Sequence, residues 1–328
     1  MREPLSALGS AETIGGLAVE GFFAISGYLI ASSYLSSHSL RKFMTNRMLR
    51  IYPAFLVASV VCLFVVAPIA GGDLTAVSPR GWLVEIVKTF SLGAPSVPGT
   101  FRGLAFPALD GSMWTIRYEF RCYMLVAALG LVGILERRTV ALGITAALYC
   151  IVIWVVAFGS PVIPPGVIHQ IVFNAIGAPF EASYLTAIFM SGVCARLYRE
   201  KLNFRPSFLG AAFAIFAVAV LLLPQPFPIL AAGMAGVYVL LWAAISLKSR
   251  ILQSINNKYD FSYGIYLYAW PVASLIIVEG QKDHLTVGPI VLTGLTALFA
   301  TFIAIPSWYL IEKPMLSLRF RHRATVRE

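Results

Sequence analysis

About nine separate stretches of this chain are apolar for long enough to cross a bilayer, which takes about 20 residues as a helix. They run Ile14–Leu35, Ile51–Ala70, Met113–Leu135, Val140–Phe158, Ala182–Tyr198, Phe208–Leu223, Ile229–Leu247, Phe261–Val278 and Val287–Ile311. The segments between them are polar, basic or rich in Pro and Gly, as connections are. Only 12% of the 328 residues are charged and 59% are hydrophobic. An ordinary soluble domain has about 25% charged residues. Mean hydropathy is +0.80. A soluble globule, a disordered chain and a nucleic-acid-binding domain are excluded by that balance. The fold expected is all-α, a polytopic transmembrane helix bundle.

The net charge of +10 is a topology signal. One set of connections holds Arg41, Lys42, Arg47, Arg50, Arg137, Arg138, Arg196, Arg199, Lys201, Arg205, Lys248, Arg250 and Lys258, and ends with Lys313, Arg319, Arg321, Arg323 and Arg327. The alternate set holds only Arg2, Arg80, Lys88, Arg102 and Lys282. Basic connections stay in the cytoplasm, so the first set and the C-terminus, with its basic tail over 313–328, are expected there. With an odd number of spans, Met1 then falls on the outer face. Residues 1–13 include Glu3, Pro4 and Glu12 and have no apolar core, so they do not read as a signal peptide. The parity leads us to expect a further helix ahead of Met1.

Cys62, Cys122, Cys150 and Cys194 lie far apart in apolar runs without a CxxC, which suits neither a zinc site nor a disulfide framework. The outer connection 71–111 is unusually long. Its first half places Trp82, Leu83, Ile86, Val87 and Phe90 on one helical face, with Glu85, Lys88 and Thr89 opposite. That pattern predicts an interfacial helix lying on the membrane or over the bundle. The second half, GAPSVPGTFRGLAFPALDGS, is too rich in Pro and Gly for a regular element. A long structured loop of this kind serves as a lid or substrate loop, or as a packed cover.

Ionisable residues inside a span are expensive, and so are candidates for function. GSMWTIRYEFRCYM carries three: Arg117 and Arg121 share a helix face, and Glu119 projects from roughly the opposite side. Glu119 lies about 10 Å inside a boundary at Ser112, at 1.5 Å per residue. It either forms a structural ion pair or faces a substrate cavity. Arg47 and Arg50 sit three apart after Arg41 and Lys42, and run into Ile51-Tyr52-Pro53 at the membrane border. They suit either a topological anchor or bidentate contacts to phosphates arriving from the cytosol. Ser26-Gly27 suits close helix packing, while Glu20 is either interfacial or lines the same cavity as Glu119. His38, His169, His284 and His322 all fall outside the spans, as solvated residues rather than bases. No GxSxG, P-loop or HExxH is present, and nothing in the sequence requires a metal.

FFAISGYLI, the basic run ending RMLRIYPAF, GSMWTIRYEFRCYM, DFSYGIYLYAWPV and SWYLIEKPML occur in this order. Together they resemble the membrane-bound acyltransferase-3 family across essentially the whole chain. The resemblance is to the bacterial subgroup with a WT-x-x-YEF-x-CY segment, here Trp114 to Tyr123, and a YGIYLYAxP segment, here Tyr263 to Pro271. It implies one membrane helix more than the spans counted above, and a single integral-membrane domain over 1–328. It also implies O-acyl transfer, typically of acetyl, from cytosolic acyl-CoA to a hydroxyl of a cell-envelope carbohydrate or related acceptor at the bacterial inner membrane.

By the resemblance, Arg47, Arg50, Arg41 and Tyr52 would serve the donor, and Glu119, Arg117, Arg121 and Glu20 the chemistry. Glu20 stands where relatives usually have Asp. The family carries an Arg and a His in its first helix, the His as the catalytic residue. This chain aligns from just after that helix, so it reads as N-terminally truncated relative to the family. Two alternatives remain: a transporter or exporter of an envelope glycan or small metabolite, or a truncated, non-catalytic relative.

Overall fold

The computed structural model describes residues 5, 9–37, 39–159, 177–202, 205–246, 260–282 and 284–324. His38 and His169 fall outside them, as does the basic connection through Lys248, Arg250 and Lys258. Every apolar stretch expected to span is helical. The helices are α1 (Ile14–Leu35), α2 (Leu40–Val61, running on through a π-turn at Cys62–Val66 to Ala67–Ile69), α3 (Pro79–Phe90) and α4 (Trp114–Leu131). They continue with α5 (Arg138–Phe158), α6 (Pro179–Leu197) and α7 (Pro206–Leu222). Then come α8 (Phe227–Ala231, a π-turn at Ala232–Gly236, and Val237–Ser246), α9 (Ser262–Lys282) and α10 (Pro289–Ser307, a π-turn at Trp308–Glu312, and Lys313–Ala324). No strand occurs among the described residues. Six of these helical stretches are long and apolar enough to cross a membrane.

Local sequence sets the helix ends. Thr13 caps α1 by accepting from Gly16 N at 2.9 Å, and Ser78 caps α3 by accepting from Gly81 N at 3.1 Å. Proline opens α3, α6, α7 and α10, where its missing N–H has no partner to lose. Between α2 and α3, Asp73 accepts from Thr75 Oγ1 and N and from Ala76 N. Those bonds hold its carboxyl below the usual range.

The chain divides into two compact units, Met1–Met44 with Tyr118–Ser249, and Thr45–Arg117 with Arg250–Glu328. In the first, α1 and α6 cross in backbone contact. A Cβ on Gly27 would overlap the Phe189 carbonyl, and one on Gly192 the Ala24 carbonyl. The Ser26-Gly27 pair is therefore a packing device, which is what small residues do where lipid supplies no hydrophobic drive. Arg196 Nε donates to Ser32 Oγ at 2.7 Å along the same crossing. Tyr149 and Ser191 share a hydrogen bond at 2.9 Å between α5 and α6. A Cβ on Gly233 in the α8 π-turn would overlap the Tyr149 hydroxyl.

In the second unit α9 packs on α10, with Gly264 lying against Ala304, 3.0 Å from where its own Cβ would be. Arg50 of α2 ties to both. Its Nη2 meets Asp260 Oδ2 at 2.5 Å, its Nη1 lies 3.8 Å from Glu312 Oε2, and its guanidinium sits 5.7 Å from the Tyr263 ring centroid. Arg50 and Asp260 each keep 24% of their side-chain surface, so solvent screens the pair. Replacing Asp260 by Ala is expected to lower stability by about 1 kcal/mol, the upper range for such pairs. A thermal melt measures this, and an unchanged Tm would show that Glu312 and the Tyr263 ring suffice to hold Arg50.

Candidate functional site

Two buried carboxylates stand out in the first unit: Glu119, which the sequence marks as an intramembrane charge, and Glu20, which it leaves as interfacial or cavity-lining. Glu119 sits on α4 with its residue surface 9% exposed. Tyr123, one turn on and also buried, donates its hydroxyl to Glu119 Oε1 in a short hydrogen bond. Arg121 lies 5.5 Å from the Tyr118 ring centroid. The Tyr118 hydroxyl in turn accepts from Ala178 N at 3.0 Å. The Tyr118 ring packs on Gly177, whose φ of +86° only glycine adopts without strain. This α4 face is thus anchored to the start of α6.

Glu20 is 3% exposed on α1, and its Oε2 has no hydrogen-bond partner among the described residues. It lines a groove of about 470 Å³ walled by α1, α7 and α8, with Leu17, Phe22, Phe213, Phe216 and Leu240 around it. Tyr149 and Tyr184 lie within electrostatic reach. A buried, unmatched carboxylate oxygen carries a desolvation penalty of about 1–3 kcal/mol or more. A hydrogen-bond donor brought to this groove would relieve it. Just ahead of α1, Glu12 accepts from Gln225 of the α7–α8 connection. Burial raises the Glu12 carboxyl against that bond.

Of the residues expected to serve a donor, Arg41 belongs to the first unit and Arg47, Arg50 and Tyr52 to the second. Arg50 is engaged by Asp260 and Glu312 as described above. Arg47 is half-buried one turn earlier on α2, and Arg41 is exposed in the first turn of that helix. The Tyr52 hydroxyl donates to the Phe90 carbonyl at 3.2 Å. Arg117 is half-buried, with Nη2 lying 2.6 Å from where a Cβ on Gly93 would be. Among the described residues, no group of three or more His, Cys, Asp or Glu could hold a metal ion. His284 lies in the α9–α10 connection with φ +56°.

Sequence reasoning passed over three partners. Tyr123 lies four residues after Glu119, the spacing that brings side chains together on a helix, so its role was readable. Asp260 and Glu312 reach Arg50 from sequence positions more than 200 residues away, and no local signal points to them.

An all-helical, apolar bundle with carboxylates buried within its helices defines a polytopic membrane protein. Its family follows from comparison. The model of the acyltransferase-3 family, described as an acyltransferase domain, matches residues 3–312, and the chain belongs to that family. It is similar to an O-acetyl transferase of Shigella phage Sf6, 26% identical over 343 residues that cover 96% of this chain and 89% of the relative. No solved structure matches the chain significantly. The protein is a membrane acyltransferase.

Proposed function

We propose that the protein moves an acyl group, acetyl in the first instance, from cytosolic acyl-CoA to a hydroxyl of a cell-envelope carbohydrate at the bacterial inner membrane. The observation that carries the reading is Glu119: a buried carboxylate held by Tyr123 within the segment Trp114 to Tyr123. The likeness to an O-acetyl transferase supports acetyl as the group.

In the transfer, the acyl–sulfur bond of the donor breaks and an acyl–oxygen bond to the acceptor forms. The hydroxyl proton passes by way of a base to the leaving thiolate, so no other reactant is needed. Arg47 and Arg50, with Arg41 and Tyr52 on the same helix, serve the donor's phosphates. Arg50 then divides its guanidinium between donor, Asp260 and Glu312. Glu119 orients the base or its partner. Arg117 or Arg121 balances that carboxylate or stabilises the developing oxyanion. Glu20 Oε2 is free to accept from the ring N–H of a His, the residue which the family carries in its first helix.

Acyl-CoA binds the folded state alone, so it stabilises the protein by about 2.7 kcal/mol at one hundred times its Kd. A thermal melt of purified protein should rise with acetyl-CoA and less with adenosine. An identical melt with and without saturating acetyl-CoA would overturn the donor assignment. Transfer of radiolabelled acetyl to an envelope saccharide tests the acceptor class.

A further inference from the structure

The residues between α2 and α4 do not stay at the rim. Helix α3 runs antiparallel along α2: Trp82 stacks on Phe64 with centroids 5.6 Å apart, while the α3 end at Phe90 is held by Tyr52. Along α2, Phe64 is about 9 Å and Tyr52 about 27 Å from Ala70 at its end, at 1.5 Å per residue. The chain then climbs back. Ser96 bonds Glu85 and Lys88 of α3 through Ser96 N to Glu85 Oε2 at 3.1 Å and Lys88 Nζ to Ser96 Oγ at 2.8 Å. Asp73 N to the Pro98 carbonyl and Phe101 N to the Ala70 carbonyl, both at 3.0 Å, return it to the end of α2.

From there it descends a second time, now without helix. Trp270 Nε1 donates to the Ala108 carbonyl at 3.1 Å. Gly111 lies under the Trp270 ring. Ser112 Oγ donates to the Tyr266 carbonyl at 2.8 Å, and the Tyr266 hydroxyl donates to the Ser112 carbonyl at 2.5 Å. Along α9, Trp270 is about 18 Å and Tyr266 about 24 Å from the Lys282 end. Ser112 is therefore held deep along a membrane helix, beside Tyr266, about 6 Å along α9 from its first residue Ser262.

Non-helical backbone at that depth is tolerated only inside protein or against water, because lipid offers its N–H and C=O groups no partner. Leu109 and Asp110 are buried, which satisfies the first condition. Arg102, Gly103, Ala105, Phe106, Pro107 and Ala108 are exposed, and so fall under the second.

We propose that residues 79–113 are a re-entrant segment, and that its descending arm 102–113 lines a water-filled passage for the polar, hydroxyl-bearing acceptor. The passage runs from the Lys282 end of α9 down to Ser112 at the start of α4. The wet passage rests on the geometry above, and its assignment to the acceptor rests on the O-acyl transfer reading. The apolar face of α3, with Leu83, Ile86, Val87 and Phe90 exposed, then meets lipid in depth rather than along the surface.

The test uses full-length protein in proteoliposomes, with Cys150, the exposed native cysteine, replaced by Ala. Single cysteines at Thr75, Ala105 and Ala108 are reacted with a charged, membrane-impermeant maleimide. All three should label from the same face, Ala108→Cys within about tenfold of the Thr75→Cys rate. Nitroxides at Leu83→Cys and Phe90→Cys should place 90 deeper than 83 when depth is measured from the face that labels Thr75→Cys. An Ala108→Cys that does not label, or labels only from the opposite face, overturns the passage. Equal depths at 83 and 90 overturn the re-entrant course.

Maleimide on Ala108→Cys should abolish acetyl transfer to a saccharide acceptor while leaving the stabilisation by acetyl-CoA intact. Undiminished transfer after labelling overturns the assignment to the acceptor. Single-cysteine variants that label as expected, together with wild-type protein that transfers acetyl to no saccharide, would remove the proposed reaction and leave the passage standing.

Discussion

Gly27→Val is expected to cost the first unit more than about 3 kcal/mol, beyond the usual range for overpacking. The added carbons have nowhere to go, because the ideal Cβ position already overlaps a carbonyl of α6, which is backbone and cannot rotate aside. Gly192 makes the reciprocal contact with the Ala24 carbonyl, so α1 and α6 would have to separate along their whole crossing. In detergent the variant should lose its cooperative melt or elute as aggregate. Gly15→Ala is the control. It lies on the same helix, where the nearest atom to an added Cβ is Thr13 Oγ1 at 4.0 Å, and it should melt like wild type. A Gly27→Val protein with an unchanged Tm would mean that the crossing is not close-packed.

The second large effect is on turnover. Glu119→Gln keeps the shape of the side chain and an acceptor for Tyr123 but removes the negative charge. A carboxylate that orients or balances a group in proton transfer contributes about 10²–10⁴-fold, so acetyl transfer should fall by about that factor with the melt unchanged. Tyr123→Phe removes the donor and leaves the buried acid short of one hydrogen bond, a penalty of about 1–3 kcal/mol. Its signature is a shifted pH profile of kcat with donor KM unchanged, which loss of packing alone would not produce. Normal turnover in Glu119→Gln would remove Glu119 from the mechanism.

Glu119, Arg117 and Arg121 were legible as candidates because membrane spans contain so few ionisable groups that each one is conspicuous. The same economy hid the supporting residues. Tyr123, Tyr118, Asp260 and the glycines at the α1–α6 crossing are unremarkable in composition, and their roles come from what they meet. Asp260 reads as a loop residue until Arg50 is placed beside it. The stretch 79–90 reads as an interfacial helix because amphipathicity specifies which face is apolar; the re-entrant course proposed above concerns the direction of its axis, which that pattern leaves open.

The sequence by itself determined the class of fold, the helical segments and the residues worth suspecting. Apolar length, proline openings and capping hydroxyls act over a few residues, and lipid forces every such segment into a helix. Only the tertiary structure decided which helices touch, that Arg50 is shared between Asp260 and Glu312, that Glu20 Oε2 faces an open groove, and that Ala108 and Ser112 are bonded to Trp270 and Tyr266 of α9. Those outcomes depend on contacts between residues far apart in the chain, where shape and backbone complementarity choose among many apolar surfaces that sequence patterning leaves equivalent.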